Sequence, residues 1–161
     1  MTEAAILGDA TFVDSRSRAD GPHSLEIGGG SGPALVSGVV RVTQMEIKSF
    51  DKPDETRMFE GKGMADIVMM AGRPIARGHF EPGWRWSDNV KPIAQTDLCQ
   101  VSHFGYVDQG RMRIHMKDGA EQDITPGEVV AIPAGHDAEV VGDETCVFID
   151  FGEVSNYAKP M

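Results

Sequence analysis

Residues 97–136 read DLCQVSHFGYVDQGRMRIHMKDGAEQDITPGEVVAIPAGH, and the turns in this stretch decide the fold. Asp118-Gly119 separates two short runs, and both positions tolerate the positive φ of a primed hairpin turn. Further turns fall at Gln109-Gly110, at Pro126-Gly127 and over Pro133-Ala134-Gly135. Between the first two, Met112, Ile114 and Met116 alternate with Arg111, Arg113, His115 and Lys117, the period of a strand with one buried face. His115 is thereby assigned to the solvated face. Two turn-bounded blocks each deliver a histidine, His103 and His136, about two short strands apart.

The same pattern extends in both directions. A strand over 98–107 places Cys99, Val101, His103, Gly105 and Val107 on one side. On a straight strand Cys99 and His103 stand about 13 Å apart at roughly 3.3 Å per residue, so both reach one ion only where the chain bends. Downstream, strands are expected over 128–132, 138–141 and 145–151, with a turn at Gly142-Asp143. Upstream, 57–59, 65–70 and 75–81 read as strands, and Pro82-Gly83 opens a wide polar corner through Pro92 that holds both tryptophans, Trp84 and Trp86. The alternation of Val40, Val42, Met45 and Ile47 marks a first ordered strand over 39–47. Many short strands with almost no helical period predict an all-β antiparallel sandwich or barrel.

Two segments are expected: a flexible N-terminal part, 1–37, and a β-barrel domain, 38–157. The first mixes charge, few large apolar groups and the run Gly28-Gly29-Gly30-Ser31-Gly32-Pro33, which reads as linker because no helix follows to make a phosphate cradle. No nucleotide cofactor is indicated. With 161 residues the chain can bury a core without staples, and its two cysteines make no disulfide framework. The absence of a secretory signal or a long apolar run points to the cytoplasm. A net charge of −10 repels phosphates at long range, which argues against nucleic acid and anionic membrane and leaves small molecules and proteins as partners.

These residues resemble the cupin superfamily, a small jelly-roll barrel. Gly127, five residues, then Pro133-Ala134-Gly135 match the family's second motif, and His103, six residues, then Gly110 match the end of its first, with His in the place of an acidic ligand. The likeness covers about 39–152, and Pro82 to Trp86 and Pro133 to Asp137 resemble a branch of bacterial single-domain cupins. The sequence departs from the motifs where metal ligands are usual. Counting back from His103 gives Asp97 and Cys99, or Thr96 and Leu98, where two histidines normally stand, and Ala138 takes the place of the later histidine while His136 follows the glycine directly.

The resemblance implies a site inside the barrel. Candidate metal ligands are His103, His136, Cys99, Asp97 and His79, for a divalent ion such as iron, manganese or zinc. His103 and His136 are the candidate catalytic residues. Trp84, Trp86, Phe104 and Tyr106 are candidates for an aromatic wall, with Asn89 as a polar ligand-binding group. The expected function is a metal-dependent small-molecule enzyme of the oxygenase, isomerase or lyase class. The alternative is a ligand-binding or regulatory barrel without metal or catalysis. A homodimer is expected, with 39–47 as the contributing edge.

Overall fold

The computed structural model describes residues 42–160. The expected N-terminal segment, 1–37, lies outside them. Nine strands follow in chain order: β1 Glu55–Met58, β2 Gly63–Met70, β3 Arg73–Phe80, β4 His103–Gln109, β5 Met112–Met116, β6 Glu121–Ile124, β7 Val129–Ile132, β8 His136–Val140 and β9 Cys146–Asp150. Two single-turn helices, α1 Trp86–Asn89 and α2 Lys91–Ala94, sit in the corner after β3, and a 3-10 turn, Val154–Asn156, follows β9.

One sheet has the order β1-β2-β3-β9-β4-β7 and the other β6-β5-β8, and every pairing is antiparallel. The second sheet gains its fourth position from a broken strand: Arg85 bridges Glu139 and Cys99 bridges His136. Both bridges fall on β8, so the residues 86–98, which carry α1 and α2, loop out between them. The result is two facing four-position sheets, β3-β9-β4-β7 against the broken strand, β8, β5 and β6, with β1 and β2 extending the first. That arrangement is a cupin-type jelly roll.

The core lies between the sheets and follows the alternation. Ala76, Gly78 and Phe80 of β3 face inward, as do Met112 and Ile114 of β5 and Ala138 and Val140 of β8. Phe59, Phe80 and Trp84 form one aromatic cluster, with Phe59 and Phe80 stacked at 5.6 Å and Phe80 and Trp84 edge-on at 4.5 Å. Gly105 is required by close approach: a Cβ there would run into the Ile149 carbonyl and the Phe148 ring. Gly110 turns β4 into β5 at φ +69°, in the left-handed region that favours glycine.

The expected strand over 39–47 is not formed in its described part. Val42, Met45 and Ile47 are exposed and unpaired with any sheet, so an alternation of apolar residues here reflects neither a strand nor a buried face. β8 starts two residues earlier than the spacing suggested, and His136 therefore enters the barrel from a strand rather than from a turn.

Candidate metal centre

Cys99 Sγ, one ring nitrogen of His103 and one of His136 lie within 4.8 Å of one another. Three elements deliver them. Cys99 sits in the second half of the broken strand, with its N–H donating to His136 O at 2.8 Å and its own carbonyl accepting from Gly135 N–H at 2.7 Å. His103 is the first inward residue of β4, and His136 opens β8. The chain bends between Cys99 and His103, because the regular strand begins only at His103, and this brings Sγ to 3.5 Å from His103 Nε2.

Second partners set both imidazoles. His136 Nδ1 lies 2.7 Å from Pro133 O; a carbonyl only accepts, so Nδ1 is the donor there and Nε2 is left for the cluster. His103 Nδ1 lies 2.5 Å from Asp150 Oδ2, and the other oxygen of that carboxylate accepts from Gly152 N–H at 2.8 Å and Phe104 N–H at 3.3 Å. Asp150 is 4 % exposed, at the inward end of β9. The rings of His103 and His136 stand edge-on at 5.2 Å, and Tyr157 packs edge-on against His103 at the same distance.

Charge in the cluster is shared among these groups. Burial alone would push the Cys99 thiol up, but hydrogen bonds from His103 and His136 outweigh it and draw it down to about 6. Burial would lower His103, yet Asp150 and then Cys99 raise it to about 9. The thiolate form of Cys99 is therefore the favoured one, which is the form that binds metal or attacks an electrophile. Cys146, the other free cysteine, is pushed up to about 12 by burial and is an inert core residue.

A cavity of about 40 Å³ opens on the histidine side of the cluster. Its wall includes His103, His136, Asp150, Tyr157, Trp84 and Trp86, and most of the rest is aliphatic or aromatic. Cys99 does not line it; it lines a smaller void of about 10 Å³ under Val90 and Ala94. Tyr157 closes the cavity from the C-terminal segment, which is held down by Arg57. The Arg57 guanidinium is buried and donates to Val154 O and Tyr157 O at 2.7 Å and to Ser155 O at 3.1 Å, while Glu55 receives its remaining N–H groups.

Several residues expected at the site are elsewhere. Asp97 has a side chain 99 % exposed and pairs with Lys91 at 3.1 Å, because the excursion through α2 carries it out of the barrel. His79 alternates with the inward Gly78 and Phe80 and so lies on the outer side of β3, near Asp66. Asn89 is buried, but it ties loops together and is not among the residues of the cavity wall: Nδ2 donates to Glu60 O at 2.5 Å and Oδ1 accepts from Arg85 N–H at 3.0 Å. Phe104 and Tyr106 lie on the outer face of β4, 54 % and 38 % exposed, since His103, Gly105 and Val107 take the inner one. Trp84 and Trp86 do wall the cavity. Asp150 and Tyr157 were not anticipated: an acidic strand end and a tyrosine past the last strand carry no local signal, although Asp150 ends the strand whose register faces His103.

No family model matches the chain, and no curated protein matches it. Among solved structures it is similar to a variant of oxalate decarboxylase from B. subtilis, at 16% identity and a TM-score of 0.49 over 73% of this chain and 32% of that one. It is also similar to a polyketide cyclase from Streptomyces resistomycificus, at 17% identity and 0.48 over 66% and 78%. A sugar phosphate isomerase from a cupin superfamily, from Silicibacter pomeroyi, gives 19% identity and 0.44 over 62% and 73%. The chain spans about a third of the length of the oxalate decarboxylase. These likenesses concern the fold, and the strand order above already defines it as an antiparallel cupin-type barrel. Among the described residues no helix is long and apolar enough to cross a membrane.

Proposed function

We propose that the barrel binds one divalent metal ion on Cys99 Sγ, His103 Nε2 and His136 Nε2 and acts as an enzyme on a small organic molecule admitted to the adjoining cavity. The observation that carries this reading is the orientation of the two imidazoles. Each spends Nδ1 on a fixed acceptor, Asp150 or Pro133 O, and turns Nε2 onto a common point with the thiolate, which is how metal-binding histidines are held. The Sγ to Nε2 distance of 3.5 Å also fits. Bonds of about 2.3 Å to sulfur and 2.0–2.1 Å to nitrogen at a tetrahedral angle put those atoms roughly 3.5 Å apart. A thiolate with two imidazoles favours zinc or iron over manganese, which prefers carboxylate oxygen.

A metal bound there with an open position would polarise a carbonyl or activate oxygen or water, consistent with an oxygenase, isomerase or lyase. The chain's own residues supply the rest. Asp150 keeps the His103 ring in place, Pro133 O keeps His136 in one tautomer, and the apolar wall with Tyr157 across it excludes bulk water. The soluble small molecule is the expected partner, in a cytoplasmic homodimer that sedimentation of the full chain would test.

Metal analysis of protein purified without a histidine tag tests the reading. About one ion per chain is expected in the wild type, with loss in Cys99→Ala, His103→Ala and His136→Ala while β-sheet circular dichroism is retained. A wild type with no metal, and no gain in thermal stability on adding zinc or iron(II), overturns it. A second reading rests on the linear order Cys99 Sγ, His103, Asp150, in which a thiolate is held by an imidazole that is itself held by a carboxylate. It requires covalent labelling of Cys99 near neutral pH in metal-free protein. If neither metal nor thiolate reactivity is found, a ligand-binding barrel without catalysis remains.

A further inference from the structure

We infer that the indole N–H groups of Trp84 and Trp86 form a hydrogen-bonding subsite, so that the cavity takes a compact molecule carrying a carbonyl or carboxylate oxygen. The inference deepens the proposal that this cavity is the substrate site and rests on it. Both tryptophans are 2 % exposed, both wall the cavity, and neither Nε1 has a hydrogen-bond partner among the described residues.

An indole N–H is a donor only and has no other way to be satisfied. Buried tryptophans in folded proteins normally find an acceptor, because an unpaired buried donor keeps the whole desolvation cost. One such group is uncommon, and two on residues that wall one small cavity share an explanation: the acceptor is a ligand. The other buried side-chain nitrogens without a partner, on Arg77 and His79, belong to the outer side of β3.

The backbone places the two indoles together. Trp84 and Trp86 flank Arg85, whose bridge to Glu139 and the bond from Val140 N–H to Trp84 O at 3.0 Å fix this short extended piece against β8. Residues two apart on such a piece share a face, here the inner one. Room is limited: about 40 Å³ holds roughly three water positions at 10–15 Å³ each, so three or four heavy atoms fit as the structure stands. Besides the tryptophans, the residues of the wall that carry polar atoms are His103, His136, Asp150 and Tyr157. The remaining wall suits a short apolar body.

The chain contains only these two tryptophans, so its nitrogen-15 correlation spectrum shows two indole signals and both report on the cavity. We would titrate the full-length protein, metal-free and metal-loaded, with acetate, with acetone, and with isobutene, which has the shape of acetone but no acceptor. The expected result is a saturable downfield shift of both indole protons with acetate or acetone and none with isobutene; which of the two binds tells charged from neutral acceptors. Trp84→Phe and Trp86→Phe keep an aromatic ring and remove the donor, and each should weaken binding about tenfold; the smaller ring also lowers the melting temperature, so binding is compared at a temperature where each variant is folded. No shift with either oxygen compound, or an equal shift with isobutene, overturns the inference. Should a variant fail to fold, the wild-type titration decides alone. Shifts in protein that binds no metal would leave this inference standing while the metal reading falls.

Discussion

Arg57→Met is the perturbation that most directly tests how the cavity is closed. The wild-type guanidinium holds three carbonyls of the C-terminal segment, those of Val154, Ser155 and Tyr157, at 2.7–3.1 Å. Hydrogen bonds to a charged group are worth about 1.5–3 kcal/mol each. Three of them set a gross loss of roughly 5–9 kcal/mol. Much of that is recovered, because the carbonyls regain water once the segment lifts and Met fills part of the volume, so a net loss of about 3 kcal/mol is expected, as for breaking a buried charged contact. It should be local, since β1 and the barrel sheets keep their own pairings while Val154, Tyr157 and Ala158 lose burial together. At 1.36 kcal/mol per decade, amide exchange over 154–158 should accelerate about hundredfold, and the barrel strands should change little. Hydrogen exchange read by mass spectrometry measures both regions in one experiment. If protection over 154–158 equals that of the wild type, the segment is held by apolar burial alone and the role given to Arg57 is wrong. Acceleration throughout the barrel would refute the claim that Tyr157 closes the cavity as a separable flap.

Asp150→Asn removes the carboxylate behind His103 and should weaken metal binding about 10- to 100-fold in chelator competition; unchanged affinity would separate Asp150 from the centre. Gly105→Ala drives a Cβ into the Ile149 carbonyl and the Phe148 ring, so a loss of about 1–3 kcal/mol is expected in urea unfolding, from overpacking between β4 and β9. An unaltered midpoint would show that this approach relaxes freely. His115 lies between Glu121 at 2.9 Å and Glu139 at 3.0 Å, with Arg85 on the far side of Glu139 and Arg113 nearby but paired with Asp123; burial lowers its pKa, but the two carboxylates win and raise it. A raised histidine stabilises the fold fully below its unfolded pKa of about 6.5 and loses that contribution as pH climbs through the higher folded value. His115→Gln should therefore flatten the decline of melting temperature above about pH 6.5, and an identical pH profile would refute the pairing.

The barrel was legible because its turns are spelled out residue by residue. Asp118-Gly119, Gly110 and Pro133 to Gly135 fall where the chain reverses, and the alternation over 112–116 gives the buried face of β5 without help from anything distant. The spacing of His103 and His136 from those turns was likewise enough to bring two imidazoles together inside the barrel, each as the first residue of a strand. Alternation misled where no partner strand was present to enforce it. Met45 and Ile47 stand two apart, the right period, yet period describes which side chains share a face and not whether anything covers that face.

The aromatic wall shows a subtler failure. The alternation that put His103 and Gly105 inward had already put Phe104 and Tyr106 outward, and the structure follows it; only their aromatic character drew them toward the ligand. Where a regular strand is paired on both edges, as β4 is by β9 and β7, period must override composition, because a one-residue change of face would turn the histidine out with the phenylalanine in. Cys99 is the converse case. Straight-strand geometry put it out of reach of His103, and it reaches because the chain bends over 100–102, passing from the bridge opposite His136 in one sheet to β4 in the other. The excursion through α2 leaves Asp97 outside the barrel and the chain rejoins it at Cys99, which is why a donor set of one thiolate and two imidazoles forms here while the nearest carboxylate upstream is left in solvent.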